Sequence, residues 1–414
     1  MVLVKIRDEE WDFRSANTRL HVHVLHAYPA MMIPQVAGRI LDEFGASARL
    51  LFDPYCGTGT SLVEANLRGI DAVGTDINPL ARLIAKVKTT YIPPDELTAQ
   101  IRHFILSVPD LKSERAKVEP PAFPNIDYWF KKGTQRDLAV IKNYIENLAD
   151  EDVRDFFWVA FSETVRASSL TRKGEFKLYR IPKHQIAKFS PNVFTIMQEK
   201  LLRNARALKG YFRLHTGAST RVYDFNTVHE IPKSVLPPES VDIVVTSPPY
   251  GDSRTTVAYG QFSRLSNQWL GYEEANQVDK RSMGGKVLRE LRRFGVKALD
   301  DTIAQIAEID ERRAREVASF YTDYRASIKN VAEVVRKGGV VAYVVGNRRV
   351  KGVQIPTDAI TAEFFREHGF EHVKTFIRAI PNKRMPLRNS PTNVSGVTAP
   401  TMNYEYVVVL RKQV

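Results

Sequence analysis

The chain has 414 residues, of which 43% are hydrophobic and 26% charged, and its formal net charge is +13. The length allows two or three domains, the composition is that of a globular protein, and no apolar run approaches the span of a bilayer. The charge favours a polyanionic partner such as DNA or RNA. A single cysteine, Cys56, excludes an internal disulfide and a cysteine-built zinc site and fits a reducing, intracellular home.

In chain order, the start Met1-Val2-Leu3-Val4-Lys5-Ile6-Arg7-Asp8 is broken by charges too early for a signal peptide. His21, His23 and His26 have no fourth ligand nearby, and the alternate spacing reads as strand residues rather than a metal centre. Ile33, Val36, Ala37, Ile40, Leu41 and Phe44 keep helical spacing, with Gly45 as a stop. Leu50-Leu51-Phe52-Asp53 is a short apolar strand that runs into Pro54-Tyr55-Cys56-Gly57-Thr58-Gly59-Thr60. An amphipathic helix with Leu62, Val63 and Leu67 on one side follows, then a second strand, Ala72-Val73-Gly74-Thr75-Asp76. Together they form a β-turn-α-β unit. Further strands are predicted at Thr220–Asp224, Val241–Val245, Val340–Gly346, His372–Ile377 and Tyr404–Leu410. Helices are predicted at about 311–336, stopped by Lys337-Gly338-Gly339, and at 357–367. The alternation predicts an α/β fold with a mostly parallel sheet. Residues 91–215 are too many for one crossover and read as an inserted, largely helical domain. Residues 1–90 and 216–414 then form the main domain, with a smaller insertion at 271–310.

Chemistry concentrates at four strand ends. Gly57 and Gly59 let a backbone approach a ligand closely, and Asp76, 17 residues after Gly59, suits a carboxylate that binds ribose hydroxyls. There is no third glycine at the dinucleotide spacing, and no triphosphate-binding lysine follows. Asp224 ends the third strand and suits a place beside a nucleoside base. The fourth strand ends in Thr246-Ser247-Pro248-Pro249-Tyr250. Two prolines stop the ladder and stiffen the exit, which fixes where free carbonyls point. Ser247 Oγ and the Pro248 carbonyl can then accept hydrogen bonds from an exocyclic amine, while Tyr250 offers a ring for stacking.

These stretches, Asp-Pro-Tyr-Cys-Gly-Thr-Gly-Thr and Thr-Ser-Pro-Pro-Tyr, resemble the S-adenosylmethionine-dependent DNA amino-methyltransferases of restriction–modification systems. The resemblance covers roughly residues 20–90 and 216–414. It implies a Rossmann-like class I methyltransferase sheet, mostly parallel with the last strand antiparallel. It implies S-adenosyl-L-methionine as cofactor, with Asp53, Cys56, Gly57, Gly59 and Thr60 at its methionine part, Asp76 at the ribose and Asp224 near the adenine. Tyr28 and Pro29, in His26-Ala-Tyr-Pro-Ala-Met31, match the segment that packs on the methionine end. The tetrapeptide Ser247–Tyr250 matches the catalytic motif. Serine in its first place resembles the cytosine-N4 enzymes, with an adenine-N6 enzyme as the alternative and an RNA base methyltransferase as a third reading. The order of motifs resembles the α-type arrangement, in which the insertion reads the target. The implied partner is double-stranded DNA, with a cognate restriction endonuclease as a second, in a cytoplasmic, nucleoid-associated and prokaryotic setting.

The implied chemistry is direct transfer to an amine that has left the duplex, with no covalent enzyme intermediate. Cys56 sits in the cofactor turn rather than after a proline, which argues against attack on cytosine C5. Cations and aromatics interleave from Ser169 to Arg180. Arg172, Lys173, Lys177 and Arg180 are therefore candidate DNA contacts, as are Lys383 and Arg384 in a later loop and Arg254 after the tetrapeptide. Tyr259 to Ser263 are expected to line the base pocket and Trp269 to be core.

Overall fold

The structure, a computed structural model, describes residues 3–252, 256–380, 388–389, 399–400 and 402–414. Its frame is one eight-stranded sheet. The strands are β1 (Lys5–Arg7), β2 (Leu50–Asp53), β3 (Asp71–Thr75), β4 (Thr220–Tyr223), β5 (Val241–Thr246), β6 (Val335–Val345), β7 (Phe370–Ala379) and β8 (Tyr404–Lys412). They lie in the order β1-β7-β8-β6-β5-β2-β3-β4. Phe52 of β2 pairs with Val73 on one side and Val244 on the other, both in parallel register. Only β8 runs against its neighbours, opposing Tyr343 of β6 and Thr375 of β7 at Val408. The sheet is thus Rossmann-like, with its antiparallel strand slotted between β6 and β7.

Period-2 alternation explains why these runs are apolar throughout: successive side chains go to opposite faces, and both faces are covered. Leu51, Ile243, Ala342, Val344, Val407 and Val409 meet α1 (Pro34–Phe44) and α2 (Thr60–Asn66) through Val36, Ile40, Leu41 and Leu62. Phe52, Val244, Tyr343, Val345, Val408 and Leu410 belong to the other core. They meet α9 (Lys297–Ile309), α10 (Glu311–Val334) and α11 (Thr357–Arg366) there. A third core is all helical. It joins α3 (Pro79–Thr89) and α8 (Tyr259–Leu270) to α4 (Pro94–Ser113), α5 (Lys132–Glu146), α6 (Glu151–Ser168) and α7 (Val193–Phe212). Trp269 is fully buried in it, edge-on to Phe130 and Phe161.

Two local expectations are corrected, and one strand is added. His21–Val24 is a 3₁₀ turn, not a strand. Val22 and Leu25, three residues apart and both buried, set that period, while His23 bonds Glu64 and His26 bonds Ser162, each at 3.1 Å. Lys337-Gly338-Gly339 does not stop α10, which ends at Val334 directly before β6. Those glycines instead make an irregularity within β6: Val241 pairs with Val335 and Ile243 with Val340, and Gly338 has φ +72°. The short edge strand β1, parallel to β7, had no signature in the sequence.

Candidate active site

The carboxyl ends of β2, β3, β4 and β5 lie side by side, the place where an open α/β sheet leaves a crevice. A cleft with about 970 Å³ of empty space, open solvent at its mouth included, lies there. Its walls come from residues 28–32, the turn after β2, the ends of β3, β4 and β5, Tyr259, and Val278 with residues 281–283.

The turn after β2 is held by two carboxylates. Asp53 is 3% exposed and accepts hydrogen bonds from Ser61 Oγ, from Thr246 Oγ1 at 2.5 Å and from the Tyr55 amide at 3.1 Å. It therefore ties the end of β2 to the end of β5, one residue before Ser247. Burial pushes its carboxyl up to about 6 against the pull of these donors. Asp76, at the end of β3, accepts from the Gly57 amide at 3.0 Å and from the Asn78 amide at 2.7 Å, and burial raises its carboxyl above the ordinary range. Gly57 and Gly59 have φ of +50° and +77°, and a Cβ on Gly59 would stand 3.0 Å from the Ala85 Cβ. The turn can therefore be this tight only with glycine at that position.

Ser247 and Pro249 line the cleft, and Pro248 is buried beside them. Ser247 Oγ donates to the Tyr250 hydroxyl at 3.4 Å, and that hydroxyl donates to Glu405 Oε1 on β8 at 3.0 Å. The other Glu405 oxygen is paired with Arg378 of β7, which in turn holds the Trp11 carbonyl at 2.9 Å. Desolvation and the Glu405 charge keep the Tyr250 phenol protonated far above neutral pH.

No family model matches the chain. It is 38% identical over 426 residues to the type II methyltransferase M.MvaI of Kocuria varians, covering 97% of this chain and 93% of that one. The type II methyltransferase M.BsoBI of Geobacillus stearothermophilus is 20% identical over 429 residues, covering 87% of this chain and 81% of its own. The chain belongs to the type II DNA methyltransferases. Like that family, this methyltransferase uses S-adenosylmethionine as methyl donor.

The cleft of this methyltransferase fits that donor in chemistry. It offers the Asp76 carboxylate, a glycine turn, and the rings and thioethers of Tyr28, Phe225, Met31 and Met32. Of the residues expected to bind it, Tyr28, Pro29, Asp53, Cys56, Gly57, Thr60 and Asp76 all line the cleft. Gly59 shapes the turn without lining it. Asp224 does neither: β4 ends at Tyr223, Asp224 is exposed, and Phe225 and Asn226 reach the cleft in its place. Phe225 is held there against Phe52 and Tyr223, with ring centroids 6.3 and 5.9 Å away. Tyr250 is also outside the lining. Its phenol is committed to Glu405, whereas Tyr259, stacked on Tyr28 at 5.9 Å, does line the cleft.

Two groups of site residues escaped the sequence. Asn78, 1% exposed, donates to the Tyr28 hydroxyl at 2.7 Å and to Ser263 Oγ at 3.1 Å, so it locks residue 28 to α8. An Asn-Pro pair before a helix reads only as a cap, which Asn78 also is. Val278, Arg281, Ser282 and Met283 close the cleft from within the 271–310 segment, and no local pattern announces that reach.

The basic stretch forms a hairpin. Thr171 bridges Arg180, and the Arg172 amide donates to the Tyr179 carbonyl at 2.8 Å. The Leu178 amide donates to Gln261 Oε1 at 3.3 Å, which docks the hairpin on the start of α8, next to the Tyr259 wall. Arg172 stacks on Tyr179 and Arg180 on Tyr128, at 5.8 and 4.2 Å. Lys173 Nζ caps the end of α6 through the Arg166 and Ser169 carbonyls, at 2.7 and 2.8 Å, so its ammonium is used internally. Lys177 is half-buried. Arg254, Lys383 and Arg384 lie outside the described residues. Among the described residues no helix is long and apolar enough to cross a membrane.

Proposed function

We propose that this methyltransferase modifies the exocyclic N4 of a cytosine extruded from duplex DNA. The carrying observation is Ser247, a hydroxyl at the rigid end of β5 that lines the cleft and is locked to the cofactor turn through Thr246 and Asp53.

The amine of cytosine is a poor nucleophile because its lone pair is conjugated into the ring. Acceptors for its N–H groups favour a pyramidal nitrogen and return that lone pair. Ser247 suits this task because its own hydrogen is engaged by Tyr250, and the Tyr250 hydrogen by Glu405. The serine oxygen is left as an acceptor, joined by the Pro248 carbonyl. Tyr259 offers the stacking face for the base. Asp76 is placed for ribose hydroxyls, and the turn from Gly57 to Thr60 for the amino-acid part of the donor. When bound, S-adenosylmethionine supplies a methyl already activated by the sulfonium charge. The protein's share is then alignment and exclusion of water. Arg172, Lys177 and Arg180 support DNA as the substrate: their hairpin docks beside the base pocket, and none of them forms an ion pair among the described residues.

The test is nucleoside mass analysis of duplex DNA after incubation with isotope-labelled donor. N4-methylcytosine is expected, and Ser247→Ala should reduce its formation at least about a hundredfold, the scale of a lost polarising contact. The same variant should bind S-adenosylhomocysteine as the wild type does. N6-methyladenine in place of N4-methylcytosine would overturn the base assignment.

A further inference from the structure

The last turn of α3 carries Lys88 into the interior, where it is 0% exposed. Its ammonium donates to Thr58 Oγ1 at 3.1 Å, and among the described residues it has no carboxylate partner. A buried charge without a counterion is costly, and burial pushes this amine down to about 7. Of the groups around it, Cys56 is the one that favours the charged amine. Cys56 is a thiol raised well above neutral pH by burial, and His23 and His26 are shifted toward the neutral form. Glu64, the nearest carboxylate on α2, is taken by His23 and Arg68.

What stands in front of Lys88 is the cleft. Thr58 and Met31 both line it, and Thr58 Oγ1 donates its hydrogen to the Met31 sulfur at 3.0 Å. A thioether is a weak acceptor. The threonine is therefore a hydroxyl backed by a buried cation, with its hydrogen on a partner that a carboxylate would easily replace. This arrangement sits in the glycine turn, one residue after Gly57, whose amide Asp76 accepts.

We propose that Lys88 is a positioning residue that, through Thr58, makes the glycine-turn end of the cleft a carboxylate subsite for the amino-acid tail of the methyl donor. The inference rests on reading the cleft as the donor's site. The threonine hydrogen turns from Met31 to a carboxylate oxygen, while the ammonium holds the threonine oxygen and supplies the counter-charge. Without the carboxylate the buried cation is uncompensated, so the subsite selects ligands that carry the tail over those that lack it.

The experiment is calorimetric titration of the full chain with S-adenosylhomocysteine, which has the amino-acid tail, and with methylthioadenosine, which does not. Lys88→Met is expected to weaken S-adenosylhomocysteine roughly ten- to hundredfold, the range a hydrogen bond to a charged group supplies, and to leave methylthioadenosine unchanged. Thr58→Val keeps the lysine and should show the same selective loss, which preserves the test if Lys88→Met does not fold. Equal weakening of both ligands, or no loss for S-adenosylhomocysteine, overturns the proposal. Failure of the wild type to bind either ligand would instead overturn the reading of the cleft itself.

Discussion

Asp53 is the residue on which the geometry of two motifs converges, and its ionisation is opposed by burial. Its carboxyl stands at about 6 in the folded chain against an ordinary value of 3.8, with Asp76 the other carboxyl that adds to the rise. A carboxyl raised on folding favours the fold in its neutral form. That contribution is whole below about pH 4 and is lost as pH rises through about 6. The shift corresponds to on the order of 3 kcal/mol. Asp53→Asn keeps an acceptor oxygen for Thr246 and the Tyr55 amide, turns an NH2 donor to the Ser61 hydroxyl, which can accept it, and removes the titration. Urea unfolding of both proteins between pH 4 and 7 should show the variant gaining stability relative to the wild type by up to that amount. A pH-independent difference between them would contradict the role of burial here.

At the scale of elements, the hairpin of residues 170–181 has no sheet to join. It is pinned by Gln261 and by cation–aromatic pairs, and its arginines are held in place without being neutralised. Arg172→Gln with Arg180→Gln should weaken duplex DNA binding and lower the slope of log affinity against log salt by about 2, since each phosphate contact contributes about 0.9. Fluorescence anisotropy at several salt concentrations measures both. Affinity lost with the slope unchanged would mean that these arginines shape the hairpin rather than hold phosphates. Elements of this kind also mark what was legible in the sequence. The strands β2, β5 and β6 announce themselves because both their faces are buried, and the glycine turn and the Ser-Pro-Pro-Tyr exit because their backbone demands are rare. The three exposed residues of β1 carry no pattern, since only pairing with β7 makes them a strand. Asp224 was legible as a strand-end acid, but a strand one residue shorter brings Phe225 and Asn226 to the cleft instead. Lys88 gave no sign at all, because a helical lysine ordinarily lies in solvent.

For the whole molecule, the distribution of apolar contacts bears on whether the helical insertion is a separable unit. Leu97, Ile101, Phe104, Leu138, Ile141, Phe157, Phe161, Met197 and Leu201 of the insertion share one core with Leu80 and Ile84 of α3 and with Phe262, Leu265 and Trp269 of α8. Yet α3 follows the strand that carries Asp76, and α8 begins with Tyr259 of the cleft. The helices therefore cover apolar faces that the sheet's own crossovers cannot bury alone. Asn78 adds a polar tie at the same junction, with its partners on α8 and at Tyr28. A chain built this way is expected to unfold as one body, although its length would permit independent domains. Differential scanning calorimetry should give a single endotherm whose van't Hoff and calorimetric enthalpies agree. Trp269→Ala, at the centre of the shared core, should lower that one transition as a whole, by roughly 3 to 5 kcal/mol. Two resolved endotherms, with Trp269→Ala shifting only one of them, would show instead that the insertion folds on its own.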